Sequence, residues 1–213
     1  MSRRTEGEGA VGAAVRVGWA LVRHEARLMA SLVLWLARRA HGTGAGGTAF
    51  GYARGEAAMM FGFAFVCVVE TVAMSALLGD WPTLHAVVLF LDVYTVVFVV
   101  ALYAASAVRP HVVTPDGLRV RRAVHVDLRI PRERIASVRR ELRMTHATAA
   151  GELNLAVGSQ TTVTVELVDP VPHRSFFGRV RDVRVVRLHA DDADGLVRAL
   201  TAAPQGPAGH AVP

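Results

Sequence analysis

The chain has 213 residues, 52% of them hydrophobic, with a formal net charge of +6 and a mean hydropathy of +0.34. The apolar surplus is concentrated between Ala57 and Val108, which excludes one soluble core as the whole account. All 24 basic residues are arginine, as coding bias in a GC-rich bacterial genome would give, and the single cysteine, Cys67, excludes an intrachain disulfide.

Residues 1–10 read as a disordered tail. The Arg3-Arg4 pair is followed by Glu6 and Glu8 in place of an apolar stretch, so no cleavable signal is expected. Across 11–40, Arg16, Trp19, Arg23 and Arg27 recur at helical spacing, the pattern of an amphipathic helix lying in the membrane interface. The rival placement is a third span in which Arg23 and His24 pair with Glu70 and Asp92. The crowding of Arg23, His24, Glu25 and Arg27 speaks for the interface. Residues 41–54 read as a glycine-rich linker. Gly42, Gly44 and Gly47 match a GxGxxG spacing, but no strand precedes them and no helix-opening turn of a βαβ unit follows.

Residues 55–108 predict a transmembrane hairpin. Its first span, 57–78, carries one ionisable group and would rise roughly 33 Å, enough for a ~30 Å hydrocarbon core. Gly79-Asp80-Trp81-Pro82-Thr83 forms the turn, and 84–108 returns. The turn holds no arginine, whereas Arg38, Arg39 and Arg54 precede the hairpin and Arg109, Arg119, Arg121 and Arg122 follow it. The excess of positive charge puts both termini in the cytoplasm of a multi-pass plasma-membrane protein. Glu70 and Asp92 each stand ten residues from the turn, hence at matching depth near the midplane. They read as an intramembrane polar pair, sharing a proton and a hydrogen bond that fixes helix rotation or a homo-oligomer contact. Their other reading is an ion or proton path.

After Arg109 the period changes from helical to alternating. Val124, Val126, Leu128 and Ile130 alternate with His125, Asp127 and Arg129; Val163, Val165 and Leu167 alternate with Thr162, Thr164 and Glu166. A strand from about Val183 to Ala190 contains the doublet Val185-Val186, a sign of a face switch or bulge. The register of Ile135–Val138 is not settled by its pattern. Asp191, Asp192 and Asp194 suit the N-terminus of a closing helix. Residues 109–203 thus predict five to seven strands capped by one C-terminal helix, and 204–213 a disordered tail.

The hairpin, the run TPDGLRVRRAVHVDLRIPRERIASVRREL, the strand TTVTVELVDP and the ending VRVVRLHADDADGLVRAL resemble the bacterial pleckstrin-homology-like (PH-like) membrane proteins. Arg134-Ile135-Ala136-Ser137-Val138 carries much of the likeness, which spans about residues 55–201. It implies an all-β PH-like barrel or sandwich of seven strands with a C-terminal capping helix, acting as a membrane-proximal interaction or assembly module. The lysine-rich phosphoinositide signature of eukaryotic relatives is missing, so inositide binding is not implied.

Catalytic patterns are not found. His24-Glu25 lacks the second histidine of HExxH, there is no GxSxG elbow, and Thr201 stands where an EF-hand places its glutamate. The expectation is a non-enzyme with no cofactor and no bound metal. Arg119, Arg121, Arg129, Arg139, Arg140 and Arg143 are candidate contacts to anionic lipid head groups or to a protein partner, together with Phe176 and Phe177. Nucleic acid is not expected, because the domain has no aromatic stacking platform. A scaffold anchored in the bilayer is the first functional expectation. The second is a small oligomeric channel or transporter subunit using Glu70 and Asp92.

Overall fold

The computed structural model describes residues 2–39, 46–144, 149–174 and 180–202, with side chains at Val15 and from 17 onward. Helix α1 (Ser2–Leu36) leads to a short strand β1 (Thr48–Phe50), then to helices α2 (Arg54–Leu77) and α3 (Pro82–Ala107). Strands β2 (His111–Thr114), β3 (Gly117–Arg122), β4 (Val126–Pro131), β5 (Ile135–Arg143), β6 (Glu152–Leu155), β7 (Thr161–Arg174) and β8 (Val180–Leu188) follow, and α4 (Ala193–Thr201) closes the chain. Two regions differ from expectation. Residues 2–10, expected as a disordered tail, are helical, and the stretch expected as a linker contributes β1.

Among the described residues, α2 and α3 are the two helices long and apolar enough to cross a membrane. A tight turn ends with Pro82 in the first turn of α3, where its missing N–H costs no hydrogen bond. The two helices pack side by side along one stripe each: Ala64, Cys67 and Thr71 of α2 face Val88, Asp92 and Val99 of α3. His85 Nε2 lies 3.0 Å from Ser75 Oγ near the turn. Much of the remaining surface of both helices is apolar and exposed, apart from the side of α3 that α1 covers.

The strands form two four-stranded sheets, ordered β1-β2-β3-β4 and β5-β7-β8-β6. Leu118, Val120, Leu128 and Ile130 of the first face Val163, Val165, Val186 and Leu188 of the second, and α4 adds Leu196 and Leu200 to this core. The alternation read from β4 and β7 is therefore real burial. The doublet in β8 also marks a face switch: Val183 points inward, and so do Val186 and Leu188, an odd-to-even change. Opposite it the register jumps from Glu166 to Val171. Irregular pairing at Ile135/Ser137 and at Arg140/Arg143 explains why the pattern of β5 is unreadable in sequence. The eighth strand is β1, three residues hydrogen-bonded to the edge of β2. β6 runs parallel to β8, a pairing that alternation alone cannot reveal.

Gly117 occupies a position in the β-domain where backbone leaves no room for a side chain. Its φ is 146°, and an added Cβ would strike the Ile130 carbonyl and lie 2.9 Å from the Arg132 nitrogen. Gly117→Ala is expected to lower stability by about 2–4 kcal/mol, read as the thermal midpoint of the full chain in detergent. Gly62→Ala, with open space around the site, is the control and should leave the midpoint unchanged or raise it.

Candidate functional site

A polar joint ties the helical hairpin to the first sheet. Tyr52, 1% exposed, lies between β1 and α2, and its hydroxyl accepts the Ala123 N–H at 2.7 Å. Ala123 sits in the β3–β4 turn at φ 44°, a left-handed position that this bond helps to hold. The Tyr52 ring stacks at a tilt on His111, centroids 4.8 Å apart. Arg122 lies 6.0 Å from the same ring and pairs with Glu56 of α2 at 2.6 Å. His111 opens β2 and is almost fully enclosed. Its Nδ1 accepts the Arg121 N–H at 3.1 Å, which leaves Nε2–H to donate to the His189 carbonyl at 3.0 Å. Burial lowers its pKa to about 4, so the ring is neutral at pH 7.

α1 lies against α3 and the same β3–β4 turn. Leu28 is fully buried with Ala101 and Ala105 of α3 and Ala123 of the turn. The small side chains on α3 let the helix axes approach closely. Trp35 meets Tyr103 edge-on at 6.0 Å, and Tyr94 Oη donates to Glu25 Oε1 at 2.7 Å. His24 stacks on His125, centroids 4.7 Å apart, with His24 Nε2 3.2 Å from His125 Nδ1. Arg23 and His24 do not meet Glu70 or Asp92, so the ion pairing imagined for a third span is not formed. α1 is not among the helices apolar enough to cross a membrane.

The six candidate arginines fall into two groups on different sheets. On β5, each is engaged by a carboxylate: Arg139 by Glu166 at 2.5 Å, Arg140 by Asp194 at 2.7 Å, and Arg143 by Glu141 at 3.7 Å. Arg187 of β8 is likewise held by Glu152. Each of these candidate arginines on β5 thus has a carboxylate beside it. Arg140 also bears on the α4 terminus, where Asp192 is the N-cap and accepts the Gly195 N–H at 2.8 Å.

The outer face of the first sheet is different. Arg119 and Arg129 stand directly opposite each other on β3 and β4, and Arg121 stands opposite Asp127. Asp127 takes a two-pronged contact from Arg119, at 2.7 and 2.5 Å. Arg119 beside it holds this carboxyl below the usual range, despite the opposing effect of burial. Arg109, directly after α3, joins the group. Desolvation lowers its pKa, and so do Arg27 and Arg119 close by, while Asp127 acts the other way. Arg109 Nε is buried and makes no hydrogen bond. From Arg119 and Arg129 an open groove of about 820 Å³ runs over the sheet to Asp116 and Glu133. Sequence reasoning reached Arg119, Arg121 and Arg129 but missed Arg109 and the pairing of Asp127. The available signal was the position of Arg109 at the end of an apolar run.

The intramembrane acids also need correction. Asp92 lies on the stripe of α3 that faces α2, with Oδ2 buried and without a partner. Glu70 is on the exposed side of α2, one residue and so about 100° away from the facing Thr71. No hydrogen bond joins them. Equal depth follows from the helical rise, but the face on which each lies follows from the helical phase. Phe176 and Phe177 lie outside the described residues. Comparison of the chain with family models, curated proteins and solved structures found no match. The functional reading therefore rests on the geometry.

Proposed function

We propose that this chain is a non-enzymatic, multi-pass protein of a bacterial plasma membrane, presenting a PH-like β-domain on the cytoplasmic side as a scaffold for a protein partner or anionic lipid head groups. The observation that carries this is the uncovered apolar surface of the hairpin. Phe61, Phe63, Phe65, Phe90, Leu91 and Val93 all stand exposed on two helices of 24 and 26 residues. Water does not tolerate a patch of that extent, whereas a hydrocarbon core matches its length and character. Arg38, Arg39, Arg54 and Arg109 lie at the end of the hairpin that adjoins the β-domain, and the opposite turn holds Asp80 and Trp81 without arginine. That asymmetry supports a cytoplasmic β-domain. α1, with arginines and Trp19 on its exposed surface and Leu28 docked on α3, suits the inner interface. The scaffold reading is preferred to an oligomeric channel because Glu70 is exposed while Asp92 is half-buried, so the two acids do not form one site within a single chain.

In intact cells carrying Cys67→Ala, a cysteine replacing Asp80 should react with an impermeant maleimide, and one replacing Arg132 should react only after lysis. The chain should also stay in the pellet after alkaline carbonate washing. Release into the supernatant, or labelling of the Arg132 site from outside, would overturn the proposal.

A further inference from the structure

We infer that the exposed face of α2 on which Glu70 stands packs against the same face of a second copy of this chain, the two Glu70 carboxyl groups meeting inside the bilayer. The inference goes beyond the proposed function and rests on its placement of the hairpin in a membrane. Met59, Phe63, Val66, Glu70, Ala73 and Leu77 follow one another at alternating steps of four and three residues, and all are exposed. That step is the heptad of a left-handed helix pair, with Phe63, Glu70 and Leu77 at one core position and Met59, Val66 and Ala73 at the other. Phe63, Val66 and Glu70 directly precede Ala64, Cys67 and Thr71, the residues turned to α3. The seam therefore lies about 100° round α2 from the hairpin contact, on a side that neither α1 nor α3 closes.

Apolar residues alone would leave this face to lipid, which serves them as well as another helix does. Glu70 does not allow that. It lies about two helical turns inside the outer end of α2, at a depth with no water to solvate a carboxyl group. Among the described residues none gives it a hydrogen bond or an ion pair, and residues 55–108 contain no arginine or lysine. The missing partner thus comes from outside the chain. Copies inserted by the same charge rule share one orientation, so their α2 helices run parallel, and a two-fold axis along the membrane normal keeps equivalent residues at one depth. In a parallel pair in register a core residue faces its own counterpart, and a single polar residue among apolar ones fixes that register. Two carboxyl groups holding one proton between them supply the donor and the acceptor that each lacks alone. Ala73, one turn from Glu70 on the seam, lets the helices approach closely. The other flank of α2, with Phe61, Phe65, Val68 and Val72, is equally exposed but wholly apolar, and nothing there demands a partner.

The test oxidises single-cysteine variants of the full chain, made in a Cys67→Ala background, in native membranes with copper phenanthroline. Val66→Cys and Ala73→Cys should give a disulfide-linked species of twice the chain's mass, whereas Phe65→Cys and Val72→Cys should stay monomeric. Sedimentation equilibrium in a neutrally buoyant detergent then gives the dissociation constant of the dimer. Glu70→Leu should raise it about tenfold, although the span becomes more apolar. Glu70→Gln, which keeps both a donor and an acceptor, should stay within about twofold of the natural chain. Equal crosslinking from both flanks, or a Glu70→Leu chain that dimerises as strongly as the natural one, would overturn the inference. A crosslinked product of any mass other than twice the chain's would give the face to a different protein and overturn the second copy. Each failure can occur with the chain still resisting carbonate extraction, which separates it from failure of the membrane placement itself.

Discussion

Acidification from pH 7 to pH 4 is expected to remove about 3 kcal/mol of stability from the β-domain through His111 alone. Its folded pKa is about 4, against an ordinary value of 6.5. The native state therefore rejects a proton that the unfolded chain accepts. Stability is complete above pH 6.5 and declines as pH falls towards 4, at about 1.36 kcal/mol per unit. The cause is geometric. Nδ1 already accepts the Arg121 N–H and Nε2–H already donates to His189, so a proton on Nδ1 would face a donor inside an enclosed site. The paired carboxylates do not act in this window. Asp127, Glu141 and Glu152 are all held below their ordinary range, so their contribution persists until the solution is more acidic still.

Thermal midpoints of the full chain in detergent, measured from pH 7.5 to 4.5, should fall steeply below pH 6.5. His111→Asn retains an acceptor for the Arg121 N–H but cannot take the proton. It should lose about 1–3 kcal/mol at neutral pH, from the His189 carbonyl left without its donor and the volume lost beside Tyr52, and the fall with pH should flatten. A variant whose pH dependence matched the natural chain would assign the acid sensitivity to other groups, of which His125, His173 and His189 are also shifted downward by burial.

Replacing Leu28 by aspartate should detach α1 while sparing the hairpin and the β-sandwich. Leu28 is fully buried against Ala101, Ala105 and Ala123. An unpaired carboxylate there would cost about 3–5 kcal/mol. The helix would leave before the site accepted the charge. Its separation should break the His24–His125 stack and the Tyr94–Glu25 hydrogen bond together. A disulfide engineered between positions 24 and 125, in a Cys67→Ala background, should form in the natural sequence and fail with Leu28→Asp, while the thermal midpoint of the β-domain moves little. Retention of the crosslink would show that α1 is held by its own exposed surface in the interface instead of by this contact.

Several elements were fully legible in the residues. Two apolar runs of bilayer length around one short turn predict α2 and α3 to within a few residues, because no other arrangement satisfies so many consecutive apolar side chains. Period-2 alternation predicts β4 and β7 for the same reason: each inward position had to be apolar once one face was buried. The Asp192 cap and the apolar face of α4 were equally local. Even the Val185-Val186 doublet announced its face switch.

The chain by itself thus determined α2, α3, α4, β4 and β7, because these depend on periods and runs that neighbours along the sequence supply, whereas the helical residues 2–10 and β1 escaped it. Tertiary structure alone decided which charges are neutralised. Arg119, Arg129, Arg139 and Arg140 look alike in sequence, yet two of them face each other on one sheet while the others meet Glu166 and Asp194, separated from them by 27 and 54 residues. The same holds for Glu70 and Asp92, matched in depth but turned to different faces, and for Tyr52 and His111, whose partners come from remote strands. A charge is set by what lies within a few ångströms, and only the fold brings distant residues that close.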